Sequence, residues 1–163
     1  MILPLLFVLV LQDGAADPSR GREAEPACDR GGNTLQMNAC AVEDLVLEEA
    51  RMQRYLDHAM EQAAAVDAGS GEYGEPTRQV ELLSAAQAAW ITYAERRCEA
   101  QWDAVKGGTI RTIIFIGCKI DATRQRTHDI WSDHLTHWDS TPPVLPEPVL
   151  TASAEQEAAA RLP

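Results

Sequence analysis

The sequence predicts an all-α fold, a small antiparallel bundle of about three helices closed by two disulfides. Apolar residues recur at steps of three and four along three long segments, which is the period of a helix that is buried on one face. Alternating polar and apolar residues, the pattern of half-buried strands, are scarce. The cysteine count is even, as in a disulfide framework. The four residues are Cys28, Cys40, Cys98 and Cys118.

The first helix is predicted over residues 34–66. Asn33 precedes it as a candidate N-cap, and Gln36 stands three residues later at the capping-box position. An apolar stripe along this segment predicts the face that packs against the other helices. Its members are Leu35, Ala39, Val42, Leu45 or Val46, Glu49, Met52, Leu56, Met60 and Ala63.

Two further helices are predicted, over residues 78–105 and 111–137. A Gly-rich break at residues 69–77 precedes the second helix, and a Gly-Gly pair separates it from the third. The third helix begins with TIIFIGC, which is rich in β-branched residues and also suits a strand. The helical spacing continues through Leu135, and this favours a helix.

The composition divides the chain into four parts. Residues 1–16 are predicted to be a signal peptide, because their apolar run is shorter than the roughly 20 residues that span a bilayer and small residues follow it. An apolar strand or helix of the domain is the alternative. Residues 17–32 are predicted to be a linker and residues 33–138 the helical domain. Residues 139–163 form a Pro/Ala-rich tail that is predicted to be disordered.

The charge balance indicates which classes of partner the chain can bind. The formal net charge is −11 at pH 7, which disfavours binding to nucleic acid or to an anionic membrane and favours basic partners. The mature chain is predicted to have no membrane span, and the signal peptide places it in the periplasm or outside the cell.

The sequence gives no reason to expect an enzyme or a cofactor. It contains no nucleophile elbow, no Gly-rich phosphate loop and no pair of histidine with a free thiol. Acidic residues and histidines do gather near the end of the third helix, at Asp129, Asp133, His134 and His137. Without a cysteine partner or an H-E-x-x-H pattern, we interpret them as an amphipathic helix end and predict no metal site.

The predicted helices allow two local disulfides. Cys98 and Cys118 lie at similar distances from the Gly-Gly break, so they can face each other across an antiparallel hairpin. A short return of the linker can bring Cys28 to Cys40, about two turns inside the first helix. A Cys40–Cys98 bridge, which would join the first helix to the second, remains possible because four cysteines allow three connectivities.

Several of these segments resemble one known family. The motifs are C-D-x7-M-N-A-C from Cys28 to Cys40, A-A-Q-A-A-W-I-T-Y-A-E-R-R-C ending at Cys98, G-G-T-I from Gly107, and C-x4-T-R-x-R from Cys118. Together they resemble the LprI-type lysozyme-inhibitor domain over about residues 28–135. The chain departs from the family pattern at Glu49, where an aspartate is usual, and at Met52-Gln53 and Ala94-Glu95.

The resemblance implies a compact, disulfide-linked helical domain outside the cytoplasm. It also implies a non-catalytic protein whose partner is a basic lysozyme, with a loop or helix edge that occludes the cleft of that enzyme. The alternative is a periplasmic scaffold or stress-response binding module whose partner is unrelated to lysozyme.

The candidate site residues fall into two groups. Glu49 and Arg124 each interrupt an apolar stripe, and because burial of a lone charge is costly we predict an ion pair between them. The candidates for partner binding are of two kinds. One is a turn whose glycines let another backbone approach closely, and the other is a pair of side chains one helical turn apart on the second helix. They are Gly107, Gly108 and Thr109, and Gln87 and Trp90, although a plain hairpin turn and a core tryptophan are the simpler interpretations.

We expect the exported protein to begin at Asp17, because Gly14, Ala15 and Ala16 supply the small residues that precede signal-peptide cleavage. Intact-mass measurement of protein recovered from outside the cytoplasm tests this expectation. A recovered chain that still begins at Met1 would contradict the signal peptide.

Overall fold

The computed structural model describes residues 26–69 and 74–150, and three helices account for most of them. These are α1 (Thr34–Gly69), α2 (Gln79–Ala104) and α3 (Arg111–His134), with no strand in the part of the chain that is described. The predicted all-α bundle is confirmed, including a helical start to α3. The predicted signal peptide and residues 17–25 of the predicted linker lie outside the described residues.

The start of α1 is fixed by the predicted capping box. The Asn33 side-chain oxygen accepts hydrogen bonds from the amides of Leu35 and Gln36, at 3.0 and 3.2 Å. The Gln36 side chain in turn accepts from the Asn33 amide at 3.0 Å. These bonds satisfy donors that a helix start otherwise leaves unpaired.

The start of α2 is capped by a residue of α1. The Asp67 carboxylate accepts hydrogen bonds from the amides of Gln79 and Val80 at 2.8 and 3.0 Å, and from the Thr77 hydroxyl at 2.6 Å. The Thr77 hydroxyl and the two amides hold the pKa of Asp67 below its ordinary value. This contact joins the end of one helix to the start of the next and fixes the antiparallel hairpin.

The helices run up, down and up, so α1 and α3 are parallel and α2 is antiparallel to both. Their interior contains two apolar clusters of unequal size. The larger cluster fills the end where α1 finishes, and its buried members are Met52, Tyr55, Ala59, Ala63, Leu83, Ile130 and Leu135. The smaller cluster lies at the end where α1 and α3 begin, and its buried members are Ala41, Ile116 and Ile120.

The first half of α1 is rotated relative to the predicted buried stripe. Leu35, Val42 and Val46 belong to that stripe, yet they are 65, 48 and 57 % exposed. The face that meets α3 contains Ala41 and Glu48 instead. This half of the helix is apolar on two faces, and the small bundle covers only one of them.

Both local disulfides are present, at the end with the smaller cluster. Cys28 is bonded to Cys40, and Cys98 is bonded to Cys118 across the α2–α3 hairpin. The predicted pairing is confirmed and the Cys40–Cys98 alternative is wrong. Under the chain-entropy model each loop of this length contributes roughly 3 kcal/mol to stability.

The segment after α3 packs against the bundle, which corrects the prediction of a disordered tail for residues 139–150. We call this segment the strap. The Val144 amide donates to the Leu135 carbonyl at 2.8 Å, and the Leu145 and Pro146 carbonyls accept from Trp131 Nε1 and the Tyr55 hydroxyl at 2.9 and 2.7 Å. Four prolines restrict the strap in the unfolded state, so less entropy is lost when it packs. Residues 151–163 lie outside the described residues.

We expect Tyr55→Phe to lower the free energy of unfolding by about 1 kcal/mol, because it removes the hydrogen bond that fixes the strap and leaves the ring in the core. Urea unfolding of the oxidised protein measures the change. The matched control is Tyr93→Phe, since the Tyr93 side chain is exposed on α2. An equal effect of the two substitutions would contradict the role given to this hydroxyl.

Candidate protein-binding surface

Residues of the sequence motifs meet in a partly buried layer beside the larger apolar cluster. Gln87 of α2 accepts a hydrogen bond from Arg126 Nε of α3 at 3.0 Å, and its amide nitrogen lies 3.9 Å from the sulfur of Met52 in α1. Trp90, one turn after Gln87, is half-buried and packs against the larger cluster. Gln87 thus links all three helices, and Trp90 lies against the core rather than on open surface.

Arg126 is held in an environment of low polarity. Burial lowers the pKa of its guanidinium, although Asp129 and Asp133 of the same helix oppose this effect. Its Nη2 atom is buried and has no hydrogen-bond partner among the described residues. Because the Arg126 guanidinium is hydrogen-bonded to Gln87 of the neighbouring helix, we interpret the role of this layer as structural.

The predicted ion pair exists with a neighbouring residue in place of Glu49. Arg124 Nε donates to Glu48 Oε1 at 2.7 Å, and Arg51 Nη1 lies 3.3 Å from Glu48 Oε2. The Glu48 and Arg124 side chains are only 4 and 14 % exposed, whereas Glu49 is exposed. The prediction is wrong by one residue, because one step along a helix turns a side chain by 100° and α1 is rotated away from the expected stripe.

The α2–α3 turn presents the glycine candidates to solvent. Gly107, Gly108 and Thr109 are all exposed, and a Cβ atom added at Gly107 meets no atom within 4 Å. The Arg111 side chain braces the turn by donating to the Lys106 carbonyl at 2.8 Å. Sequence reasoning missed Ile110, which is 54 % exposed directly after these three residues.

A groove runs beside the exposed stripe of α1, close to the same turn. It encloses about 480 Å³ between the start of α1, the start of α3 and the residues that precede Cys28. Leu35, Ala39 and Val42 line it from α1, and Ile116 lines it from α3. Glu43 stands at its edge. The two-sided apolar pattern of residues 35–48 is the signal from which this surface could have been found.

A second groove of about 310 Å³ lies on the opposite side of α1. Its charges are already paired, since Arg30 and Asp44 form a two-bonded ion pair at 2.8 and 2.9 Å. The Arg30 side chain holds the pKa of Asp44 below its ordinary value. This groove therefore offers less unpaired charge to a partner than the first.

The described residues contain neither a candidate metal site nor a candidate membrane span. No group of three or more His, Cys, Asp or Glu side chains in residues 26–69 and 74–150 is placed to hold a metal ion. Asp129, Asp133 and His134 lie on the last turns of α3, and His137 follows the end of the helix. None of the three helices has the length and apolar composition to cross a membrane.

These features define a class: a small helical domain with two disulfides, as in proteins of oxidising compartments, with a polar layer between its helices and an exposed apolar surface beside acidic residues. The chain belongs to the family of the lysozyme inhibitor LprI, whose model matches residues 25–130. The match contains both disulfides and stops before Trp131 and the strap. Membership identifies a lysozyme-inhibitor-like binding protein, and the disulfides indicate a location outside the cytoplasm.

The chain is also similar to an uncharacterized protein, R02472, of Rhizobium meliloti (strain 1021). The two are 26 % identical over 114 residues, which cover 69 % of this chain and 82 % of the relative. No solved structure matches the chain.

We expect Glu48→Ala to lower the free energy of unfolding by about 3–5 kcal/mol, because it removes the buried carboxylate that pairs with Arg124 and Arg51. The matched control is Glu49→Ala, which removes the same side chain from the exposed neighbouring position and changes the stability by less than about 0.5 kcal/mol. Denaturant unfolding of both variants measures the difference. Equal stabilities of the two variants would contradict the assignment of the buried pair to Glu48.

Proposed function

We propose that this protein is an exported, non-catalytic inhibitor that binds lysozyme and occludes its cleft. The observation that carries the proposal is the LprI family match over residues 25–130, which includes the whole disulfide framework. The proposed location is the periplasm or the outside of the cell, where the disulfides persist and where lysozyme acts.

The charge of the chain supports this partner. A net charge of −11 attracts a strongly basic enzyme over distances of about a Debye length, roughly 8–10 Å in physiological salt. Such attraction raises the association rate more than the final affinity. Specific affinity then has to come from apolar and shape-complementary contacts.

The proposed inserted element is the turn at Gly107, Gly108 and Thr109. It projects from the end of the bundle, and its glycines allow the backbone to approach another protein closely. The Cys98–Cys118 disulfide and the Arg111 contact fix its base, so little entropy is lost on binding.

We expect the purified, oxidised protein to inhibit cell-wall lysis by c-type or g-type lysozyme at micromolar concentration and moderate salt. Turbidity loss of a cell-wall suspension follows the reaction. Inhibition that survives at high salt indicates a specific complex, and inhibition that vanishes there indicates charge association alone. Lack of inhibition with both enzymes would overturn the proposal and favour the scaffold or stress-response module.

Paired glycine variants test the role of the turn. Gly107→Arg places a positive charge where a basic enzyme would approach, and we expect about a tenfold loss of inhibition. Gly69→Arg is the control, because Gly69 also has open space around its Cβ position but lies at the opposite end of the bundle. Equal inhibition by the two variants would remove the turn from the interface.

A further inference from the structure

We infer that the exposed apolar stripe at the start of α1, together with the adjoining groove, is a docking surface for a cationic protein segment with an apolar anchor. We define this surface, the α1 surface, by Leu35, Ala39, Val42 and Val46, with Glu43 and Glu49 at its edges. The inference rests on the proposed function and names the part of the domain that contacts the partner.

The first reason is the mismatch between sequence pattern and burial. Residues 35, 39, 42 and 46 are spaced by four, three and four, which aligns them on one helix face. Apolar stripes of this kind normally pack against another element, yet no described helix or loop covers this one. Contiguous exposed apolar surface on a soluble domain is characteristic of interaction sites.

The second reason is shape. The stripe forms one wall of the 480 Å³ groove, and the nearly buried side chain of Ile116 forms part of the opposite wall. Thr112 also lines the groove, only three residues after Thr109 of the proposed inserted turn. The turn and the α1 surface therefore lie at one end of the molecule, where a single partner can contact both.

The third reason is charge, which favours a cationic partner in the groove. Glu43 lines the groove, and Glu49 follows Val46 by three residues on the same face. Arg30, which is hydrogen-bonded to Asp44, also interacts electrostatically with Glu43, and Glu49 is exposed. A second copy of this chain would bring the same acidic residues and a charge of −11, so a cationic partner is favoured.

The fourth reason is rigidity. The Cys28–Cys40 disulfide anchors Pro26 and Ala27, which form the third side of the groove, to the first turns of α1. A groove whose walls are covalently linked is largely pre-formed, and binding to it costs less conformational entropy.

Three valines on one helix provide the test. We expect Val42→Asp and Val46→Asp each to weaken binding to c-type lysozyme by about tenfold or more in Kd, because each places a charge inside an apolar contact. Val66→Asp is the matched control, since Val66 is 46 % exposed on the same helix near its other end. We expect the control to stay within about twofold of the wild type. Circular dichroism and urea unfolding check that all three variants fold.

A second pair of variants tests the charge. Glu43→Lys should weaken lysozyme binding more than Glu75→Lys, which changes the net charge equally at an exposed loop position. Equal effects of the two reversals would mean that net charge, and not the α1 surface, governs binding.

The outcomes separate the two proposals. If the wild type does not bind lysozyme, the proposed function fails and this inference fails with it. If the wild type binds and the valine variants at 42 and 46 bind like the control, the function stands and the α1 surface is excluded. If light scattering finds a wild-type dimer that Val42→Asp dissociates, a second copy is the occupant and the inference is wrong.

Discussion

The two disulfides are the constraint on which the rest of this structure depends. They lie at the end of the bundle where the apolar cluster is smaller, and its buried members among the described residues are Ala41, Ile116 and Ile120. Ordering each residue costs about 1–2 kcal/mol of backbone entropy, and the disulfides offset part of that cost by restricting the unfolded chain. Covalent links at this end let the domain leave one apolar face of α1 open. The surface proposed to bind a partner is thus available because packing is not required to hold it.

The other end of the molecule is stabilised in a different way. There the larger cluster, the Trp131 and Tyr55 hydrogen bonds and the proline-rich strap close the core without a covalent link. Between the two ends lies a polar layer in which Glu48 pairs with Arg124 and Gln87 bonds Arg126. Buried polar groups of this kind hold helices in one register, because a shifted helix would leave them unpaired.

The residues that stabilise the fold differ from most of those proposed to contact a partner. The motif residues by which the family is recognised include the four cysteines and the polar residues Gln87 and Arg126, which support the fold. They also include the exposed glycines of the α2–α3 turn. The proposed sites of partner recognition, the turn and the α1 surface, lie at the disulfide end. In a chain of charge −11, we propose that the carboxylates beside the apolar groove attract a basic protein and that the groove gives it a place to pack.

The sequence by itself determined the all-α class, the capping box at Asn33 and the presence of a buried ion pair with Arg124, because each depends on local spacing or on the cost of a lone buried charge. Only the tertiary structure decided which glutamate pairs and that residues 139–150 pack as a strap. It also decided which apolar face of α1 remains open. The physical reason is that a helix apolar on two faces has no preferred rotation until a neighbour selects one, and here two disulfides and the position of α3 make that selection.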